Sequence, residues 1–163
     1  MQKLSWKEKY AGFLVLFIGI IYLLMQIANV SSNTSHPYAL QNGSLTIDKN
    51  ELFADLKTYL FIITSVAAGF LLIKGKTAGW ILGLPVLLMF TTFLLVIAGQ
   101  YIITNKGKID GSLTIPGIGL LLLILAIIFL FTPSARQKYR ASKSIVLLTL
   151  LLFVAIGGLS YFL

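Results

Sequence analysis

Residues 77–102 read TAGWILGLPVLLMFTTFLLVIAGQYI, an unbroken run with no charged side chain. About 20 mainly apolar residues, rising ~1.5 Å each, carry a helix across the hydrocarbon core of a bilayer. The run is apolar all round rather than striped, which is the pattern of a lipid-facing helix. Pro85 is compatible with such a helix; it frees a carbonyl near Ile81 and predicts a kink.

Working outward from this run, four further stretches have the same character: residues 11–30, 56–73, 115–132 and 144–163. The predicted fold is an all-α polytopic membrane protein with five transmembrane helices in a single membrane domain. The connecting segments are outer loops at 31–55 and 103–114 and an inner basic loop at 133–143. Composition agrees: 58% of the 163 residues are hydrophobic, 11% are charged and the mean hydropathy is +0.93. Soluble domains run at about 45–50% apolar and ~25% charged, and disordered chains are poorer still in apolar residues. Both classes are excluded. With no cysteine, disulfides, thiolate metal sites and thiol nucleophiles are excluded as well. Lys3, Lys7 and Lys9 precede the first run as in a secretory leader. The run is too long for a leader's apolar core, and Ala28-Asn29-Val30 is a poor cleavage site, so a retained helix is expected.

The basic residues give the orientation. With a cytoplasmic N-terminus, nine of the 13 Lys and Arg residues fall inside: Lys3, Lys7, Lys9, Lys74, Lys76, Arg136, Lys138, Arg140 and Lys143. Lys49, Lys57, Lys106 and Lys108 fall outside, together with four of the five acids, Asp48, Glu51, Asp55 and Asp110. Cytoplasmic loops carry the excess of Lys and Arg, so the N-terminus is expected inside and the C-terminus outside, in a bacterial inner (cytoplasmic) membrane. The whole net charge of +8 then belongs to the inner face. It is an orientation signal, and nucleic acid is not an expected partner. Arg136, Lys138, Arg140 and Lys143 could also contact anionic lipid headgroups.

A short repeat links the two halves. Gly43-Ser44-Leu45-Thr46-Ile47 recurs as Gly111-Ser112-Leu113-Thr114-Ile115, and Lys9-Tyr10-Ala11-Gly12-Phe13 resembles Lys76-Thr77-Ala78-Gly79-Trp80. These matches fit a duplicated helical hairpin plus one added span. Asn42-Gly43 between two short apolar-containing runs is a hairpin-turn signal, since a type I′ turn needs positive φ at both positions. The second loop permits a similar pairing, so a small extracytoplasmic β cap made by both loops is expected. Asp48 and Glu51 fit a capping-box variant that starts helix two above the membrane. Pro116 suits the first turn of helix four, and Thr132-Pro133 ends it.

Reactive groups are scarce. No ionisable residue lies well inside an apolar run, which argues against buried-carboxylate ion coupling, paired-histidine haem ligation and an intramembrane metalloprotease. No cofactor and no metal is expected. His36, the sole histidine, lies in the outer loop; Asp48, Glu51 and Asp55 share one face of the following helix, where the helix dipole favours acids. Gln26, Asn29 and Gln100 are the strongest polar groups within the spans, suited to interhelical hydrogen bonds or a polar pocket. Gly79 with Gly83, and Ser65 with Gly69, are small-residue pairs four apart that permit close helix packing.

The leading expectation is a non-catalytic integral membrane subunit or accessory protein, with the bilayer and other membrane subunits, or a second copy, as partners. The alternative is a carrier or channel for a neutral or amphipathic small molecule using Gln26, Asn29 and Gln100. An outer-face lipid-modifying enzyme using His36 with Asp48 or Glu51 is the weakest expectation, because it would rest on one loop histidine.

Overall fold

The computed structural model describes residues 5–31, 38–41, 44–47, 49–104 and 111–162, with side chains over 5–29, 55–104 and 111–155. In chain order the elements are α1 (Trp6–Ser31), β1 (Tyr38–Gln41), β2 (Ser44–Ile47), α2 (Lys49–Ile73) and α3 (Thr77–Thr104). A 3-10 turn (Gly111–Leu113), α4 (Thr114–Leu130), α5 (Pro133–Lys138) and α6 (Lys143–Phe162) follow.

Among the described residues, four helical segments are long and apolar enough to cross a membrane: Trp6–Asn29, Asp55–Ile73, Thr77–Thr104 and Gly111–Leu130. The sequence predicts a fifth at 144–163. The corresponding helix is α6, which is apolar over its described side chains, Lys143–Ala155. α3 runs through Pro85 without interruption, because Pro removes only one helical hydrogen bond and a packed neighbourhood can carry that loss.

α1 packs on α2 and α4, and α3 packs on α2 and α4 from the opposite corner, so the four close a ring. α6 joins that ring from outside, through α3. One end of the ring carries α5, where α2 turns into α3; it is called the basic end below. The other carries the β1–β2 ribbon and is called the hairpin end.

The main buried cluster lies toward the basic end. It includes Ala11, Val15 and Ile18 of α1, Ala68 and Leu72 of α2, Trp80, Leu84, Val86 and Leu87 of α3, and Leu123, Ala126 and Leu130 of α4. Ala135 and Tyr139 close it from beneath. Spacings of three and four within each helix form one inward stripe. Outside it, large apolar side chains such as Phe13, Phe17, Leu24, Ile63, Ile115 and Leu121 are exposed. Contiguous apolar surface of that kind is rare on soluble monomers and is what hydrocarbon would cover.

α1 and α2 pack closely along a glycine seam. A Cβ placed on Gly69 would lie 2.6 Å from the Leu16 backbone nitrogen, and one on Gly19 would lie 2.9 Å from a Val66 methyl. Ser65, next to Gly19, is fully buried.

The two copies of Ser-Leu-Thr-Ile fold differently. Ser44–Ile47 is a strand paired antiparallel with Tyr38–Gln41, in the register Tyr38↔Ile47, Ala39↔Thr46, Leu40↔Leu45 and Gln41↔Ser44. Ser112–Ile115 instead passes from the 3-10 turn into α4. A cap built by both outer loops is therefore not formed: residues 101–104 continue α3, and among the described residues the sheet has two strands. Context decides such short segments; Pro116, in the first turn of α4, favours a helix start. The Asn42-Gly43 turn lies outside the described residues.

The inner loop contains a helix that the sequence reading leaves out. Pro133 occupies the first position of α5, preset for helical φ. α5 ends in a Schellman pattern, Ala141 N–H donating to the Arg136 carbonyl and Arg140 N–H to that of Gln137. The same pattern ends α2, with Lys76 N–H bonded to Leu71 and Gly75 N–H to Leu72. Gly75 has φ 69° and adopts that left-handed position freely, whereas Arg140 holds φ 50° with a side chain attached. Arg140→Gly should raise stability by up to about 1 kcal/mol, and Gly75→Ala should lower it by about 1 kcal/mol. Thermal melts of the two purified variants against wild type check both signs.

Candidate functional site

Polar chemistry gathers at two places. At the basic end, Ser5 and Glu8 form a reciprocal cap on α1. The Ser5 backbone N–H donates to Glu8 Oε2 at 2.9 Å, and the Glu8 N–H donates to Ser5 Oγ at 3.4 Å. The same Glu8 oxygen takes a hydrogen bond from Lys138 Nζ at 2.8 Å, the ion pair that ties α5 to α1. Both partners are nearly sealed, with side-chain exposures of 10% for Lys138 and 3% for Glu8.

Two aromatic donors complete this end. Tyr139, fully buried, donates its hydroxyl to the Leu72 carbonyl at the C-terminus of α2, 3.2 Å away. Trp80 Nε1 donates to the Leu130 carbonyl at the C-terminus of α4, at 3.1 Å. The last carbonyls of a helix lack intrahelical partners, so Trp80 caps the Leu130 carbonyl, whereas the Leu72 carbonyl accepts from both the Gly75 N–H and Tyr139. Burial, and secondarily the negative charge of Glu8, push the Tyr139 hydroxyl well above the ordinary tyrosine range, so it remains a neutral donor. Phe129 joins the group through edge-on contacts with Trp6 and Tyr10, at 5.3 and 5.7 Å between ring centres.

At the hairpin end, Gln26 Nε2 donates to Asp55 Oδ1 at 2.9 Å, joining α1 to α2. Gln26 is buried, whereas Asn29 and Gln100 are exposed. Below the Gln26–Asp55 tie lies a cavity of about 220 Å³ lined by Tyr22, Lys57, Thr58, Phe61, Met89, Phe90 and Phe93. Tyr22 stacks obliquely on Phe61 at 4.8 Å and edge-on against Phe90 at 6.0 Å.

The structure thus separates residues that the sequence reading grouped. None of Gln26, Asn29 and Gln100 lines the cavity at the hairpin end; Gln26 meets Asp55. Of the four inner-loop cations, Arg136, Arg140 and Lys143 are exposed, whereas Lys138 is engaged by Glu8 and turned away from solvent. Ser65, Gly69, Gly79 and Gly83 all pack within the ring, Gly69 against Leu16 of α1 and Gly79 and Gly83 against Leu72 of α2. His36 and Asp48 lie outside the described residues, as does the side chain of Glu51.

Glu8, Tyr139 and the cavity aromatics escaped the sequence reading. Glu8 carried a usable signal, the capping-box spacing Ser5-x-x-Glu8 ahead of an apolar run. Tyr139 and the cavity aromatics carried none, because they read as ordinary loop and span residues. Among the described residues, no group of three or more His, Cys, Asp or Glu side chains is placed to hold a metal ion. No protein-family model, no curated protein and no solved structure matches the chain.

Proposed function

We propose that the chain is a non-catalytic integral membrane subunit of a larger membrane assembly and that α6 is the helix it offers to a neighbour. The observation that carries this reading is the position of α6, outside a ring that closes without it. Its inner stripe, centred on fully buried Thr149 and flanked by Ile145 and Val146, faces the bundle. Leu147, Leu148, Leu151 and Val154 on the other side are exposed. The polar ties described above support the same reading, since each joins one helix to another rather than presenting a reactive group to a substrate.

In this reading α6 is a fifth span. Its 20 residues rise about 30 Å, the thickness of a typical hydrocarbon core. The basic end then faces the cytoplasm of a bacterial inner membrane. Lys7, Lys9, Lys74, Lys76, Arg136, Arg140 and Lys143 cluster there, which supports the assignment by the excess of positive charge on cytoplasmic loops. The β1–β2 ribbon becomes a small cap on the outer face, and the C-terminus ends outside. The alternative, a carrier working through Gln26, Asn29 and Gln100, draws less support because Gln26 is engaged by Asp55 and none of the three lines the cavity beside it.

Photo-crosslinking in intact cells tests the proposal. A photoreactive residue at Leu151 should give one discrete protein adduct of constant size, and the same residue at Leu121 on α4 should give mainly lipid adducts. Lipid adducts alone at Leu151, together with a monodisperse monomer in mild detergent, would sink the subunit reading.

A further inference from the structure

The cavity at the hairpin end is an open groove between α1, α2 and α3 that joins one cation to a set of aromatic side chains. Lys57 and Thr58 lie one turn nearer the hairpin end of α2 than Phe61, about 5 Å along the axis. Lys57 is the last charge before the uncharged run 58–73, the position where a span meets the interface. Phe93 of α3 lies level with it across the turn, and below the two are Phe61 of α2 and Met89 and Phe90 of α3, with the Tyr22 ring of α1 between them. One cation stands at the rim and an aromatic slot lies beneath.

Among the described residues no acid neutralises that cation. Asp55 is two positions away, roughly 200° around the helix at 3.6 residues per turn, and its Oδ1 already accepts from Gln26. The ion pair among those residues is Glu8–Lys138, at the opposite end of the bundle. At about 220 Å³ the cavity is below the ~300–1,000 Å³ of sites that enclose a small molecule. A slot of this size takes a length of hydrocarbon chain while the remainder of the molecule stays outside.

We propose that this cavity is a binding site for an anionic phospholipid. Its phosphate meets Lys57 at the rim, with Thr58 beside it, and an acyl chain lies in the slot formed by Tyr22, Phe61, Met89, Phe90 and Phe93. Charge selects the headgroup and the aromatic walls select the chain. The site is independent of what α6 contacts.

The test uses the full chain reconstituted in phosphatidylcholine vesicles with a trace of phosphatidylglycerol carrying a photoreactive acyl chain, followed by mass-spectrometric mapping of adducts. Labelling should concentrate on Phe61, Met89 and Phe93. Lys57→Gln should lower it about fivefold, the selectivity of one interfacial lysine for an anionic lipid, and Lys57→Arg should restore it. Adducts on the exposed face of α6 serve as internal reference and should not change. Lys57 has no ion-pair partner among the described residues, so its replacement leaves the packing in place. A photoreactive phosphatidylcholine should label the slot of the wild-type chain about as weakly as phosphatidylglycerol labels that of the Lys57→Gln variant. Excess inorganic phosphate should leave the labelling intact; loss of labelling would assign the site to a free anion and overturn the lipid. Equal labelling by the two lipids, or an unchanged Lys57→Gln variant, would overturn the proposal as well.

Discussion

Gly69→Leu should yield no monodisperse folded protein, and Gly69→Ala should lower stability by about 1–3 kcal/mol, the usual cost of overpacking a close interface. What decides the size of the effect is which atoms stand in the way. A Cβ on Gly69 meets the nitrogen, Cα and Cβ of Leu16 at 2.6–2.8 Å, and two of these are backbone atoms. Backbone cannot rotate aside as a side-chain tip can, so α1 and α2 must move apart. That movement also opens the contacts of Gly12 with Ile73 and of Gly19 with Ser65 and Val66, which lie along the same seam. Between membrane helices, where lipid is as apolar as leucine, such close van der Waals contact is a principal attraction. Gly99 on α3 is the matched control, because a Cβ there meets nothing within 4 Å. Gly99→Ala should unfold like wild type in a detergent or thermal titration. If Gly69→Ala does the same, the close approach of α1 and α2 is not what holds the bundle.

The second large effect concerns Glu8 and Lys138. Removing one member of a buried ion pair leaves an uncompensated charge, which typically costs about 3–5 kcal/mol. Lys138→Met should therefore strand the Glu8 carboxylate, keeping only its bond from the Ser5 N–H, and release α5 from α1. Glu8→Gln retains an acceptor for that N–H but not the charge that holds Lys138. The double variant Glu8→Gln/Lys138→Met should recover most of the loss, because no ion then remains to be desolvated. A double-mutant cycle on unfolding free energies reads the coupling directly. Additive single effects would mean that the two side chains do not depend on each other. Arg136→Met, on the exposed face of α5, should fall within about 0.5 kcal/mol of wild type, as surface substitutions usually do.

The helices were legible for a simple reason. Apolar runs of 18–26 residues separated by charge have one low-energy solution in a bilayer, so α1, α3 and α4 begin and end close to where residues 11–30, 77–102 and 115–132 imply. Segments of a few residues were not legible, since their structure is imposed from outside. Ser-Leu-Thr-Ile is a strand where Tyr38–Gln41 lies alongside and a helix start where Pro116 follows. α5 is six residues within a basic stretch that composition alone reads as loop. Arg136 and Lys138 are equivalent in the linear sequence; one is exposed and the other buried because Glu8 waits 130 residues away. The Gly69 seam was half visible, as Ser65-x-x-x-Gly69, while its counterpart on α1, Gly12 and Gly19, was hidden by the wider spacing. The cavity was invisible, because Tyr22, Phe61, Phe90 and Phe93 differ from other apolar residues only in where the fold leaves space between them.

The distance along the chain between Glu8 and Lys138 also imposes an order in time. A ribosome adding about 5–20 residues per second needs on the order of ten seconds to cover those 130 residues. Through that interval the carboxylate at the head of α1 has no lysine to receive it, and the Leu72 carbonyl has no Tyr139 hydroxyl. The glycine seam between α1 and α2 needs nothing made later and is free to form early. The basic end is sealed only when α5 emerges, so a nascent chain arrested before Lys138 should hold its first helical hairpin closed while the opposite corner of the bundle stays open to chaperones, insertases and proteases.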